Sequence, residues 1–162
     1  MATKHYPIFL NYRQPVACNG FLVDLSFKAR LLLEHDSDDE DIWAYGVNPG
    51  GICTYGSTDQ EALSAFVVRL RDSINDKAEA AFTFETFKAE VCELFGANDD
   101  YVVLWEAARK SVREGSLDLP GLPRDESAYK AETYFHVEKI VSPDPKFNQS
   151  ESMTLASVLK AA

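Results

Sequence analysis

The stretch Phe21-Leu-Val-Asp-Leu-Ser-Phe-Lys-Ala-Arg-Leu-Leu-Leu33 decides the fold class. Apolar side chains fall on every second position at Phe21, Val23, Leu25, Phe27, Ala29, Leu31 and Leu33, with Asp24, Ser26, Lys28, Arg30 and Glu34 between them. A period of two is the signature of a strand with one buried face. Immediately upstream, Asn19-Gly20 tolerates the positive φ of a tight hairpin turn, and Ile8, Leu10, Tyr12 and Val16 keep their own alternation. An N-terminal β-hairpin is therefore expected, and Pro7 and Pro15 suit an edge strand.

Working outward, Asp36 to Asp41 (DSDDED) holds five acids in six residues and reads as a solvated loop between strands. A calcium loop of the EF-hand kind would need Gly at its sixth position and Glu at its twelfth, where this chain has Asp41 and Val47. Ile42 to Gly46 and Gly51 to Tyr55 read as short strands separated by the turn residues Asn48-Pro49-Gly50-Gly51. Thr58 and Glu61 form a capping pair that opens an amphipathic helix, with Leu63, Phe66, Val67, Leu70 and Ile74 on one face and an end near Lys77.

Two further helices are expected: one capped by Thr83 with Phe84, Phe87, Val91, Leu94 and Phe95 at helical spacing, the next capped by Asn98 or Asp99 with Tyr101, Leu104, Trp105, Ala108 and Val112 on one face. Gly96 and Gly115 are their stops, and the pair is expected to form an αα-hairpin. Leu117 to Ser127 reads as a linker, Glu132 to Val141 alternates as a returning strand, Ser142 to Ser152 reads as a flexible tail, and Met153 to Ala162 as a short helix or frayed end. The expected class is thus α+β: an antiparallel sheet packed by one amphipathic helix over residues 1–80, a helical extension with a returning strand over 81–141, and a tail over 142–162.

Charge bounds the function. Sixteen Lys and Arg against 26 Asp and Glu leave a net charge of −10, which argues against binding nucleic acid through a basic face. The segment from Phe84 to Glu114 is itself net acidic, so a DNA-reading helix is not expected. Three widely spaced cysteines without a CxxC pair, no leader in the first ten residues and no apolar run approaching a membrane span point to a reduced, cytoplasmic, soluble chain. Cys53 and Cys92 read as buried small apolar residues, and Cys18, beside the turn, as the more exposed thiol. His5, His35 and His136 have no metal-ligand spacing, and no phosphate-binding glycine pattern precedes a helix. Neither a catalytic constellation nor a cofactor is expected; the alternative in the enzyme class is a small metal-dependent hydrolase using His and carboxylates.

The run Gly51-Ile-Cys-Thr-Tyr-Gly-Ser-Thr-Asp-Gln-Glu-Ala-Leu63, and within it Gly51, Thr54, Gly56, Thr58, Glu61 and Ala62, resembles the hallmark of HicB-like antitoxins. The resemblance covers about residues 27–77 and implies a β-β-β-α module of the degraded double-stranded-RNA-binding type. It further implies a binding protein that blocks a small ribonuclease toxin within a toxin–antitoxin system, often as a homo-oligomer, with no chemistry of its own. The acidic loop residues Asp36, Asp38, Asp39, Glu40 and Asp41, with the aromatics Trp43, Tyr45 and Tyr55, are the candidate contacts for a basic, nucleic-acid-acting partner. The alternative is an oligomeric structural or regulatory module that uses a sheet edge and the Phe84 to Val112 helices.

Overall fold

The computed structural model describes residues 3–118, 134–140 and 158–161. Strands β1 (Lys4–Ala17) and β2 (Leu22–His35) pair antiparallel along all 14 of their residues. Gly20 turns between them at φ 88°, whereas Asn19 does not share the positive φ that an Asn-Gly pair tolerates at both turn centres. Asn19 does more than turn: its side-chain amide donates to the carbonyls of Glu79 and Ala81, both at 2.9 Å, and so ties the hairpin tip to the end of the first helix.

Strand β3 (Ile42–Asn48) pairs with the second half of β2, and β4 (Cys53–Gly56) pairs with β3 at one edge of the sheet. Helix α1 (Asp59–Ala80) follows, capped by Thr58, whose hydroxyl accepts the Glu61 N–H at 3.2 Å. The Glu61 carboxylate reaches back to the Ser57 N–H at 3.0 Å, one residue earlier than the spacing suggests. Gly56 has a steric reason: a Cβ there would stand 2.6 Å from the Ala62 nitrogen, so the sheet edge and the first turn of α1 meet only over a glycine. Thr54 completes this junction by donating to the Ala62 carbonyl at 3.0 Å. Of the six hallmark positions, only Gly51 lacks such a contact, since a Cβ there would meet nothing.

Helices α2 (Phe84–Leu94) and α3 (Asp99–Arg113) form where the periodicity places them, capped by Thr83 and Asn98. They do not pack as an αα-hairpin. Phe87 and Val91 of α2 join α1 and the inner residues Ile8, Leu10, Phe27, Leu31, Leu33 and Phe66 in one core, whereas Trp105 and Ala108 of α3 join Phe9, Leu32 and Val47 in a second core on the opposite face. The reason lies in two short apolar runs, Ile8-Phe9-Leu10 and Leu31-Leu32-Leu33. Where consecutive residues of a strand are all apolar, both faces need cover, and α3 supplies the second. The single buried face expected for β2 is corrected accordingly.

The link from α2 to α3 changes face beside the end of β3. There Asn98 N–H donates to the Val47 carbonyl at 3.0 Å and the Gly96 carbonyl accepts from Gly50 at 2.9 Å. The edge of β2 has room for this because its pairing passes from β3 to β5 (Phe135–Ile140), which takes Leu22–Phe27. Strand β5 is the expected returning strand.

The terminal segment differs from expectation, since Val158–Ala161 forms a strand, β6, on Ile8–Asn11 of β1 instead of a helix or frayed end. The Ser142 to Ser152 tail and most of the Leu117 to Ser127 linker lie outside the described residues. Helices cover both faces of an antiparallel sheet, so the α+β class stands.

Candidate functional site

Register builds the site. His5 pairs with Glu34, Glu34 with Trp43, and Trp43 with Tyr55, so one cross-strand row on the α3 side of the sheet carries these four side chains. The next row inward is Pro7, Leu32, Tyr45 and Cys53. Helix α3 covers the middle of the inward row, through Tyr101 against Tyr45 at 4.9 Å, and the outer row runs from half-buried His5, Glu34 and Trp43 to the exposed Tyr55.

The aromatic rings are contiguous. Tyr45 and Trp43 lie near-parallel with centroids 6.2 Å apart, and Trp43 meets Tyr55 at 5.1 Å. Tyr55 is 58 % exposed, a large value for a tyrosine on a sheet. Three of the expected contact residues are thereby brought together, and the acidic loop is joined to them: the Trp43 indole N–H donates to the Asp39 carboxylate at 3.3 Å. The loop is organised by its own backbone, with Asp38 N–H donating to the Asp36 carboxylate and Asp41 N–H to the Asp39 carboxylate, each at 3.1 Å. Asp36 also accepts from Thr3 at 3.4 Å, while Asp38 and Glu40 stand exposed at the tip.

Two residues that the patterning did not single out complete the row. Glu34 accepts from the Tyr45 hydroxyl at 3.3 Å and is hydrogen-bonded to His5 Nε2 at 2.8 Å. Counting back from the Asn-Gly turn along an unbroken hairpin would have set His5 opposite Glu34, but only if the hairpin were known to run its full length.

Burial and the Glu34 charge hold the Tyr45 phenol well above its ordinary range, and the same two causes raise the Cys53 thiol. A thiol pushed up in this way stays protonated near neutrality and is a poor nucleophile. Cys53 and Cys92 are exposed, against the expectation that both are buried: Cys53 stands on β4, the edge strand of the sheet, and Cys92 lies on the outer side of α2. Cys18 is the more sheltered one, its thiol pushed up to about 11 by burial.

The histidines occupy separate places. His35 sits on the α1 side, 2.6 Å from Asp59, and His136 lies on β5 beside Glu138 at 3.3 Å. Among the described residues no three His, Cys, Asp or Glu side chains are grouped to hold a metal ion. A polar cleft of about 420 Å³ at the far end of the α3 side is lined by Asn11, Arg13, Asp24, Ser26 and His136, but Arg13 is committed there to Asp24 by two hydrogen bonds of 3.1 and 2.7 Å. The apolar sides of α2 and α3 are spent on the chain's own cores, which leaves Val103 and Leu104 as the outward apolar residues of α3. Among the described residues no helix is long and apolar enough to cross a membrane.

No family model matches this chain, and neither does any curated protein or solved structure.

Proposed function

We propose that this chain is a non-catalytic, cytoplasmic binding protein of the HicB-like kind, which occludes a basic, nucleic-acid-acting partner such as a ribonuclease toxin. The observation that carries the reading is the aromatic row from half-buried Trp43 to exposed Tyr55, bordered by Glu34, Asp39 and the exposed Asp38 and Glu40. Large rings at the centre of a patch supply contact area at low entropic cost, and a one-signed rim steers an oppositely charged partner and rejects like-charged nucleic acid. Ten net negative charges add long-range attraction to the basic surfaces with which such partners hold RNA or DNA. A second reading, self-association through the outer edge of β4, is favoured by that strand's terminal place in the sheet and would appear as a stable mass above 18.1 kDa in light scattering.

The test is to recover what co-purifies with the tagged full chain from its own cells and to follow its re-association by stopped flow. The reading expects a basic protein whose association rate falls steeply with salt and drops about tenfold when Asp38, Asp39 and Asp41 are replaced together by Asn. A neutral or acidic partner, or a rate indifferent to salt and to these substitutions, refutes it.

A further inference from the structure

We infer that the outer row His5–Glu34–Trp43–Tyr55 is a receptor for an arginine side chain of the partner, an inference that rests on the binding role proposed above and gives it a chemical ligand. The ring surface is built for a flat cation. Trp43 is half-buried and held at its indole N–H by Asp39, so its orientation is set before a ligand arrives, and Tyr55 extends the surface to the sheet edge. Carboxylates flank the rings on two sides: Glu34 is the cross-strand neighbour of Trp43 on β2, and Asp39 projects from the loop. Nucleic acid would meet these charges unfavourably, whereas a guanidinium would meet a π surface and two acceptors at once.

The chain itself shows the pairing. Its other tryptophan, Trp105, carries the guanidinium carbons of Arg30 and Arg109 at 5.3 and 5.4 Å from its ring, with Glu106 3.6 Å from Arg30 and 4.0 Å from Arg109. Among the described residues no Lys or Arg lies over Trp43 or Tyr55, although the same ingredients, an indole and adjacent carboxylates, are assembled there. Arginine is favoured over lysine because its planar, weakly hydrated head stacks on a ring while its fork reaches a carboxylate; an ammonium does one at the expense of the other.

The experiment uses the full chain and three labelled peptides in which Thr alternates with Arg, with Lys or with citrulline, read by fluorescence anisotropy. The Arg peptide is expected to bind about fivefold more tightly than the Lys peptide, and the uncharged citrulline peptide weakest of the three. Trp43→Leu and, separately, Tyr55→Thr should abolish the Arg preference, while Asp38→Asn weakens both cationic peptides alike. Tyr55→Thr replaces an exposed side chain by another strand former, so it keeps the test open if Trp43→Leu disturbs folding. Equal affinity for Arg and Lys, or an Arg preference that survives both ring substitutions, overturns the arginine receptor and leaves the acidic binding role standing. Failure of both cationic peptides to bind overturns that role as well.

Discussion

Replacing Trp105 tests whether α3 truly forms a second layer on the sheet. Trp105 is fully buried, its ring meets Phe9 edge-on at 5.1 Å, and two guanidinium groups lie over it. Trp105→Ala removes the largest side chain of a core that otherwise consists of Phe9, Leu32, Val47 and Ala108, and cavities of this kind cost about 3–5 kcal/mol. That is a large share of the roughly 5–15 kcal/mol that holds a domain folded. Trp105→Phe makes a sharper point. The indole Nε1 is buried without a hydrogen-bond partner, a penalty of about 1–3 kcal/mol that a phenyl ring escapes. The smaller ring loses a comparable amount of packing, about 1–2 kcal/mol, so the net change should stay within about 1 kcal/mol. Guanidinium denaturation followed by far-UV circular dichroism gives both values, and hydrogen exchange should show α3 amides losing protection first in the Ala variant. A cost below about 1 kcal/mol for Trp105→Ala would mean that α3 is not anchored on Phe9 and Leu32. An equal loss in both variants would refute the argument from the unpaired N–H.

Gly56→Ala should cost about 1–3 kcal/mol because the new Cβ meets backbone at the start of α1, and Thr58→Ala about 1 kcal/mol through the lost cap; thermal melts of the two variants check the order. Alkaline pH should unfold the protein in part through Tyr12, whose phenol burial raises, with Arg71 opposing and Asp72 assisting. A raised native value means that the phenol stabilises the fold fully below its ordinary value of 10.0 and loses that contribution as pH climbs beyond it, at up to about 1.4 kcal/mol per pH unit. Stability should therefore fall less steeply above about pH 10 in Tyr12→Phe than in the parent, and parallel slopes would show that Tyr12 titrates freely.

Local chemistry was legible in the chain. The Asn-Gly turn, the Thr58, Thr83 and Asn98 caps, the alternation of β2 and the three helical stretches all act through neighbours a few residues away, and each stands where the pattern places it. The acidic loop and its aromatics were legible as a group for the same reason, being close in sequence. His5 and Tyr101 were not, because they join the group from a strand on the other side of β2 and from a helix more than forty residues further along the chain.

What the sequence determined by itself was therefore the class of the hairpin, the short strands and the three helices, the caps that start those helices, and a strongly negative charge concentrated in one loop; the terminal segment, which pairs as β6, was not among them. Which face each helix covers was decided only in three dimensions. Amphipathic patterning states that a helix has an apolar side but carries no label for the surface that will receive it, and α2 and α3 could each have satisfied that need against the other. The second apolar face created by Phe9 and Leu32, the break in pairing along β2 that lets the chain cross, and the four-residue β6 arriving on β1 are long-range facts. By drawing α3 over the middle of the inner row of the sheet, they leave Tyr55 exposed beside half-buried Trp43 and its carboxylates.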